Sequence, residues 1–273
     1  MYILFRIFYY LASLKLLSKF WWLFYYLDFV RKPIVFKNLN IAFPELSENE
    51  KKSIAQKVYK NFAVFFEDTV DFTKNTEKMK SIEVLNKHFL QDALQTGKPV
   101  IIMSAHFGNW ELGPKYIADN FTPIAAIMRK IDNQKINDFF LKIRSSKNIK
   151  IIYRNSAAKI ILKTLIKEKL PLGILIDQFS RSDHAVKVKF FTKTKFNPAI
   201  SKLAKNTSAI VIPTFSYKHN NKYFIEFQNP KTFDKQKDTI ESFTQWQADV
   251  IENMIRKYPD QYYWFHNRWK DVE

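Results

Sequence analysis

Two textures follow one another along the chain. Upstream of about residue 98 the apolar positions recur at helical spacing. After the polar stretch 44–50, the residues Ile54, Val58, Phe62, Phe65 and Val70 form one stripe, as on the core-facing side of an amphipathic helix. Ser47, followed three residues later by Glu50, is a capping box that starts such a helix. Downstream, short apolar runs at 99–104, 123–128, 149–153, 172–177, 186–191, 209–217 and 223–227 predict strands. Between them 133–143, 157–169 and 198–205 have the length and pattern of crossover helices. A last amphipathic helix over 239–258 carries Ile240, Phe243, Val250, Ile251, Met254 and Ile255. Strands alternating with helices predict an α/β fold with a mostly parallel central sheet flanked by helices. No repeat or long linker interrupts the pattern, so 31–273 is expected to be one domain.

Residues 1–30 depart from both textures. MYILFRIFYYLASLKLLSKFWWLFYYLDFV is aromatic and aliphatic, punctuated by Arg6, Lys15, Lys19 and Asp28. No small-residue cleavage site follows, so a secretory leader is not expected. The charge-free stretch 20–27 is far shorter than the ~20 apolar residues of a clean membrane span. On a helical wheel Lys15, Lys19, Trp22 and Tyr26 share one stripe, opposite aliphatic and other aromatic side chains. This predicts an N-terminal membrane-associated helix lying in the interface, its lysines reaching the headgroups. A tilted span and a buried core helix are the alternatives.

Composition narrows the functional classes. Hydrophobic residues at 47% and aromatics at 16% exclude disorder. The absence of cysteine excludes a disulfide framework, thiolate metal sites and a catalytic thiol. Forty-four Lys and Arg against 26 Asp and Glu leave a net charge of +18, which favours an anionic partner, either nucleic acid or an acidic membrane. Part of that charge reflects a lysine-rich, glycine-poor composition. Arginine is scarce, and where a planar bidentate donor is needed lysine cannot replace it. Arg129, Arg144, Arg154 and Arg268 are therefore candidates for anion binding.

Several standard sites are missing. The pair Gly97-Lys98 runs into Pro99, so there is no P-loop, and neither Gly-x-Gly nor Gly-x-Ser-x-Gly occurs. The five histidines lack metal-ligand spacing. One segment stands apart: Ser104-Ala105-His106-Phe107-Gly108-Asn109-Trp110-Glu111-Leu112-Gly113 holds two of the four glycines in the chain. It follows an apolar run, so His106 falls at the carboxyl end of a predicted strand, where open α/β sheets bind ligands. Glu111 lies about 500° further round a regular helix and meets the imidazole only if a turn intervenes. If it does, the carboxylate fixes the ring tautomer and His106 becomes a general base. A packed core histidine is the alternative.

The string HFGNWE resembles the His-x4-acid motif of glycerolipid and lipid A acyltransferases, in particular the late lauroyl and myristoyl transferases of lipid A synthesis. The resemblance continues in order through Asn38-Leu39, the run from Ala42 to Ser47, Met128-Arg129 with Asn133, Arg144-Ser145, Asp177-Gln178, Phe190-Phe191, Leu203-Ala204 and the segment PDQYYWFHNRWK at 259–270. It departs at Ala63, Thr192 and Asn267, where the family pattern has glycine, glycine and arginine.

The resemblance implies transfer of an acyl chain from acyl carrier protein to a hydroxyl of a lipid A precursor, at the cytoplasmic face of the inner membrane, without metal or cofactor. It implies His106 as base, oriented by Glu111. Arg129 is implied as an oxyanion donor or phosphate clamp, and Arg144, Arg154 and Arg268 as ligands for acceptor phosphates and carboxylates. Asn133 and Asp177 complete the substrate-binding set, with Asp177 as a hydrogen-bonding support or a direct catalytic group. Trp264 and His266 read as packing contacts, and His88, His184 and His219 as surface residues. Two other readings stand beside this one. The first is the same chemistry on another glycolipid or a phospholipid. The second is a non-catalytic basic protein of membrane surfaces or nucleic acid, suggested by Lys187-Val188-Lys189 and Lys193-Thr194-Lys195 beside Phe190 and Phe191; it has no standard nucleic-acid motif in its support.

Overall fold

The computed structural model describes residues 2–74, 79–144, 146–153 and 158–270. Four helices come first: α1 (Tyr2–Ser13), α2 (Trp21–Leu27), α3 (Lys32–Ala42) and α4 (Glu48–Lys74). The expected capping box starts α4, with the Glu50 carboxylate accepting from the Ser47 amide at 2.8 Å and the Ser47 hydroxyl accepting from the Glu50 amide at 3.4 Å. The alternating part follows as β1 (Glu83–Leu85), α5 (His88–Gln95), β2 (Val100–Ser104), α6 (Leu112–Asn120), β3 (Ile124–Met128), α7 (Gln134–Arg144) and β4 (Ile149–Tyr153). Next come α8 (Ala158–Leu162), which runs into a π-helical turn, β5 (Leu172–Leu175), β6 (Val186–Phe190), β7 (Thr192–Phe196) and α9 (Ala199–Thr207). The chain closes with β8 (Ile210–His219), β9 (Lys222–Phe227), β10 (Lys231–Thr232), α10 (Ile240–Lys257) and a 3-10 turn over Pro259–Gln261.

The central sheet runs β1-β9-β8-β2-β5-β3-β4, with β10 added against β8. Its interior ladders, β8 with β2, β2 with β5, β5 with β3 and β3 with β4, are all parallel. The only antiparallel ladders of this sheet among the described residues are those of β9 and β10 with β8. The expected mostly parallel α/β sheet is therefore the observed one. Successive residues of β2 explain why it needs helices on both sides: Ile101 and Met103 pack with Leu39, Val58, Ile251 and Ile255, from α3, α4 and α10, whereas Val100 and Ile102 pack with Leu90, Leu112 and Ile117, from α5 and α6. Side chains alternate across a strand, so a run of continuous apolar residues is buried twice.

The elements α3, β1, α5, β7 and β10 had not been expected. The lysines alternating through β7 hide an apolar face made by Phe196 and the buried Thr194.

The N-terminal segment differs from the single interfacial helix expected for it. It breaks between α1 and α2, with Lys15 in the left-handed region at φ 55°. Lys15 leaves the predicted stripe and its ammonium lies 3.0 Å from Asp71 on α4; that hydrogen bond and charge raise its pKa above the ordinary lysine value. Ala12 and Leu17 are buried against Ala63 and Val70 of α4, and the Tyr25 ring meets Tyr59 edge-on at 5.4 Å. Among the described residues no helix is long and apolar enough to cross a membrane.

Candidate active site

Strands β2, β5, β3 and β4 are parallel neighbours, so their carboxyl ends share one edge of the sheet. Ser104 of β2 is in register with Leu175 of β5. Two residues beyond each of these positions stand His106 and Asp177. The Asp177 Oδ1 atom accepts from the His106 backbone amide at 3.0 Å and lies 2.8 Å from His106 Nδ1. Asp177 is 3% exposed at its side chain and His106 19%. Burial opposes charging of the imidazole, but the Asp177 carboxylate outweighs it and holds the His106 pKa above its ordinary value. Burial likewise opposes ionisation of Asp177, and the facing imidazole and amide more than offset it, so its pKa lies below the ordinary value. An ionised carboxylate only accepts hydrogen bonds. Nδ1 therefore carries the ring proton, and the lone pair of the neutral ring sits on Nε2. The Gln178 amide nitrogen lies 3.4 Å from Nε2.

Glu111 does not make the hydrogen bond to His106 that the resemblance implied. The turn that would bring them together exists, but the Glu111 carboxylate is held by a two-point ion pair with Arg144, through Nε at 2.7 Å and through the terminal nitrogen Nη2. Glu111 stands immediately before α6 and Arg144 ends α7, so the pair fastens one helix to the other. It still acts on His106 through space: the Glu111 charge raises the imidazole pKa and the Arg144 charge lowers it.

The glycine of the motif has a backbone reason. Gly108 has φ +54°, and a Cβ there would lie 2.1 Å from the Ser216 carbonyl oxygen of β8. This close approach lets the Asn109 amide donate to that same oxygen at 2.7 Å. On the loop's other side, the Gly108 amide donates to the Gln261 carbonyl at 2.8 Å and the Tyr263 amide to the His106 carbonyl at 2.9 Å. The C-terminal segment is thus a strap across the histidine loop, itself held by the Asn38 amide, which donates to the Trp264 and His266 carbonyls at 2.8 and 2.7 Å. Trp110 turns toward α4 and stacks on Phe65 at 4.2 Å, with its own ring edge-on to the imidazole at 5.2 Å. Phe62, Phe65, Trp110, Tyr262, Tyr263 and Phe265 line a pocket behind the loop.

The remaining candidates separate. Arg129 follows β3 at the same sheet edge, 76% exposed, and among the described residues its one ion pair is a long 3.9 Å contact to Asp132. Asn133 caps α7, its side-chain oxygen accepting from the Ile136 amide at 3.1 Å. Arg154 lies outside the described residues, as does Ser145. Arg268 is fully buried, donating to the Thr194 hydroxyl at 2.9 Å and the Lys195 carbonyl at 3.1 Å. That environment makes it a brace for β6 and β7 rather than the anion ligand expected. Asp177, counted with the substrate-binding set and also read as a hydrogen-bonding support, bonds to His106. His266 is a packing residue that touches the site: its Nε2 accepts from the Phe179 amide at 3.2 Å, and burial pushes its pKa down to about 4. Burial and the nearby Asp177 carboxylate keep Tyr262 protonated. Sequence reasoning passed over Gln178, although it sits in the quoted Asp177-Gln178 pair, and Asn38, whose signal was equally present. Among the described residues no three His, Asp or Glu side chains converge as metal ligands would.

The profile of a family described as bacterial lipid A biosynthesis acyltransferase matches residues 1–271. The chain is 24% identical over 251 residues to the lipid A biosynthesis lauroyltransferase of Escherichia coli K12, covering 88% of this chain and 79% of that protein. It is 22% identical over 233 residues to a lipid A biosynthesis acyltransferase of Haemophilus influenzae, covering 83% and 72% of the two chains. It is also 20% identical over 195 residues to the phosphatidylinositol mannoside acyltransferase of Mycolicibacterium smegmatis, covering 70% and 63%.

Proposed function

The chain belongs to the bacterial lipid A biosynthesis acyltransferase family, and from that premise we propose that it transfers an acyl chain from acyl carrier protein to a hydroxyl of a lipid A precursor, with His106 as general base. The observation that carries the mechanism is the His106–Asp177 pair, in which one buried carboxylate oxygen takes both the backbone and the ring N–H of the histidine. An alcohol ionises far above neutral pH, so its attack needs a base within hydrogen-bond reach, worth about 10²–10⁴-fold.

In the proposed reaction Nε2 removes the hydroxyl proton as the oxygen attacks the thioester carbonyl carbon. The tetrahedral oxyanion collapses, the carbon–sulfur bond breaks, and the imidazolium returns the proton to the leaving thiolate. Asp177 holds the ring and stabilises its charged form throughout. The Gln178 amide, now beside Nε2, swings aside for the acceptor hydroxyl. Arg129 at the open edge binds an acceptor phosphate, and the aromatic wall of Phe62, Phe65 and Trp110 takes apolar chain. The exposed aromatic and aliphatic side chains of α2 and the residues after it, with Phe29 77% and Val30 74% exposed, hold the enzyme to the cytoplasmic face of the inner membrane.

The test is incubation of purified enzyme with lauroyl-loaded acyl carrier protein and a tetra-acylated lipid A precursor, read by mass spectrometry. One added chain per acceptor is expected, and it should vanish with His106→Ala in a folded protein. Full turnover by that variant would remove His106 from the mechanism. The likeness to a mannoside acyltransferase favours one second reading, another glycolipid acceptor; acylation of a phosphatidylinositol mannoside but not of the lipid A precursor would select it.

A further inference from the structure

The hairpin formed by β6 and β7 presents two unlike faces. Val188, Phe190, Thr194 and Phe196 point inward and are buried. Outward stand Lys187, Lys189, Lys193 and Lys195, and the register sets Lys187 opposite Lys195 and Lys189 opposite Lys193. Like charges directly opposite on an antiparallel pair destabilise it. Among the described residues none of the four is in an ion pair, although acidic side chains elsewhere pair readily. Such a concentration of one sign on a braced hairpin attracts and orients an oppositely charged partner.

We infer that this four-lysine face docks an acidic protein, and within the function proposed above that protein is the acyl carrier. Two features select a protein over other anions. A lipid-facing surface carries exposed apolar side chains, as α2 does, and none of the large exposed hydrophobics lies on the hairpin. A single-stranded nucleic acid needs exposed rings to stack on, and here the Phe190 ring is buried in an offset stack with Trp269 at 5.6 Å.

The hairpin is also tied to the site. The loop bearing Asp177 and Gln178 leads directly into β6. Arg268 and the Trp269 indole, which donates to the Phe190 carbonyl at 2.9 Å, fasten the hairpin to the same strap that binds the His106 carbonyl. A partner held on the lysines is therefore joined to the histidine loop through this strap.

The inference rests on the proposed donor, so binding and turnover are measured separately. Fluorescently labelled acyl carrier protein is titrated by anisotropy against wild type and the variant K187Q/K189Q/K193Q/K195Q, at low and moderate salt. Transfer is assayed with the carrier-bound acyl donor and with a small acyl thioester. The variant should weaken carrier binding by at least about tenfold and lose most of its salt dependence. KM for the carrier donor should rise similarly, kcat should stay within about twofold, and the small thioester should be used as before. A melting temperature equal to or above wild type is expected, because repulsion is removed.

Unchanged carrier affinity in the folded variant would overturn the docking face and leave the enzymatic reading intact. Carrier binding that falls as expected without transfer by either enzyme would keep the face and sink the enzymatic reading. Loss of binding to anionic vesicles or to a single-stranded oligonucleotide, with carrier binding unaffected, would assign the lysines to that partner and overturn the inference.

Discussion

At the scale of single residues, the histidine has two carboxylates to account for, and they act differently. Asp177 touches the ring and supplies the charge that raises its pKa; Glu111 acts from within its pair with Arg144. Because the basic form of His106 accumulates only above a raised pKa, the acid limb of kcat/KM should lie above the ordinary histidine value of 6.5. Asp177→Asn should move that limb to lower pH and cut the plateau by at least about 10²-fold; a limb that stays in place would show that the carboxylate does not set the base. Glu111 and Arg144 should behave as one unit. Glu111→Gln and Arg144→Gln should give comparable losses of turnover, and the double variant should lose no more than either single one, because each leaves the other charge uncompensated. Additive losses would return Glu111 to an independent role. Gly108 has no room for a methyl group, since its Cβ would meet the Ser216 carbonyl and its φ is left-handed. Gly108→Ala should cost about 2–4 kcal/mol of stability, read as a lower denaturant midpoint together with lost transfer.

At the scale of elements, the N-terminal helices join two demands that sequence alone could not separate. One side of the segment completes the core, through Ala12, Leu17 and Tyr25, and the other leaves Phe20, Trp22, Leu27, Phe29 and Val30 exposed. Deleting residues 1–30 therefore uncovers Tyr59, Ala63 and Val70 and should lower the melting temperature, which would confuse folding with membrane binding. Phe29→Glu with Val30→Glu avoids this. Each apolar side chain withdrawn from lipid forfeits about 1.5–3 kcal/mol, so flotation with anionic vesicles should drop by at least about tenfold while the melt stays unchanged. Undiminished flotation would remove this face from the proposed membrane contact.

For the whole molecule, three titrating groups around the strap predict how stability follows pH. His266 has its pKa pushed to about 4, so between there and the ordinary value of 6.5 the unfolded chain binds more protons, and stability falls as pH falls through that window. Asp177, depressed below its ordinary 3.8, adds a further loss only at lower pH. His106, raised above 6.5, contributes stability that is complete below 6.5 and lost as pH rises through its folded value. Melting temperature should therefore peak near pH 6.5 and decline on both sides. His266→Gln should flatten the acid side and His106→Gln the alkaline side; a profile indifferent to both would show that these groups do not couple to folding.

What the sequence determined by itself was local in origin. The apolar runs, the capping box at Ser47 and Glu50, the carboxyl-end placement of His106 and the motif around it all depend on residues within a few positions of one another, where period and turn chemistry operate. The fold class and the place of the histidine loop at the carboxyl end of a strand were legible for that reason. Which carboxylate meets His106 was not, because Asp177 lies 71 residues away and reaches the ring only through the β2–β5 register and the order of strands in the sheet. The same holds for Arg268, an exposed-looking cation in sequence that the fold buries beneath a hairpin, and for Lys15, drawn out of its helical stripe by Asp71. Charged side chains take their partners from whatever the tertiary packing brings near. A one-dimensional pattern records which groups are available and leaves their pairing to the fold.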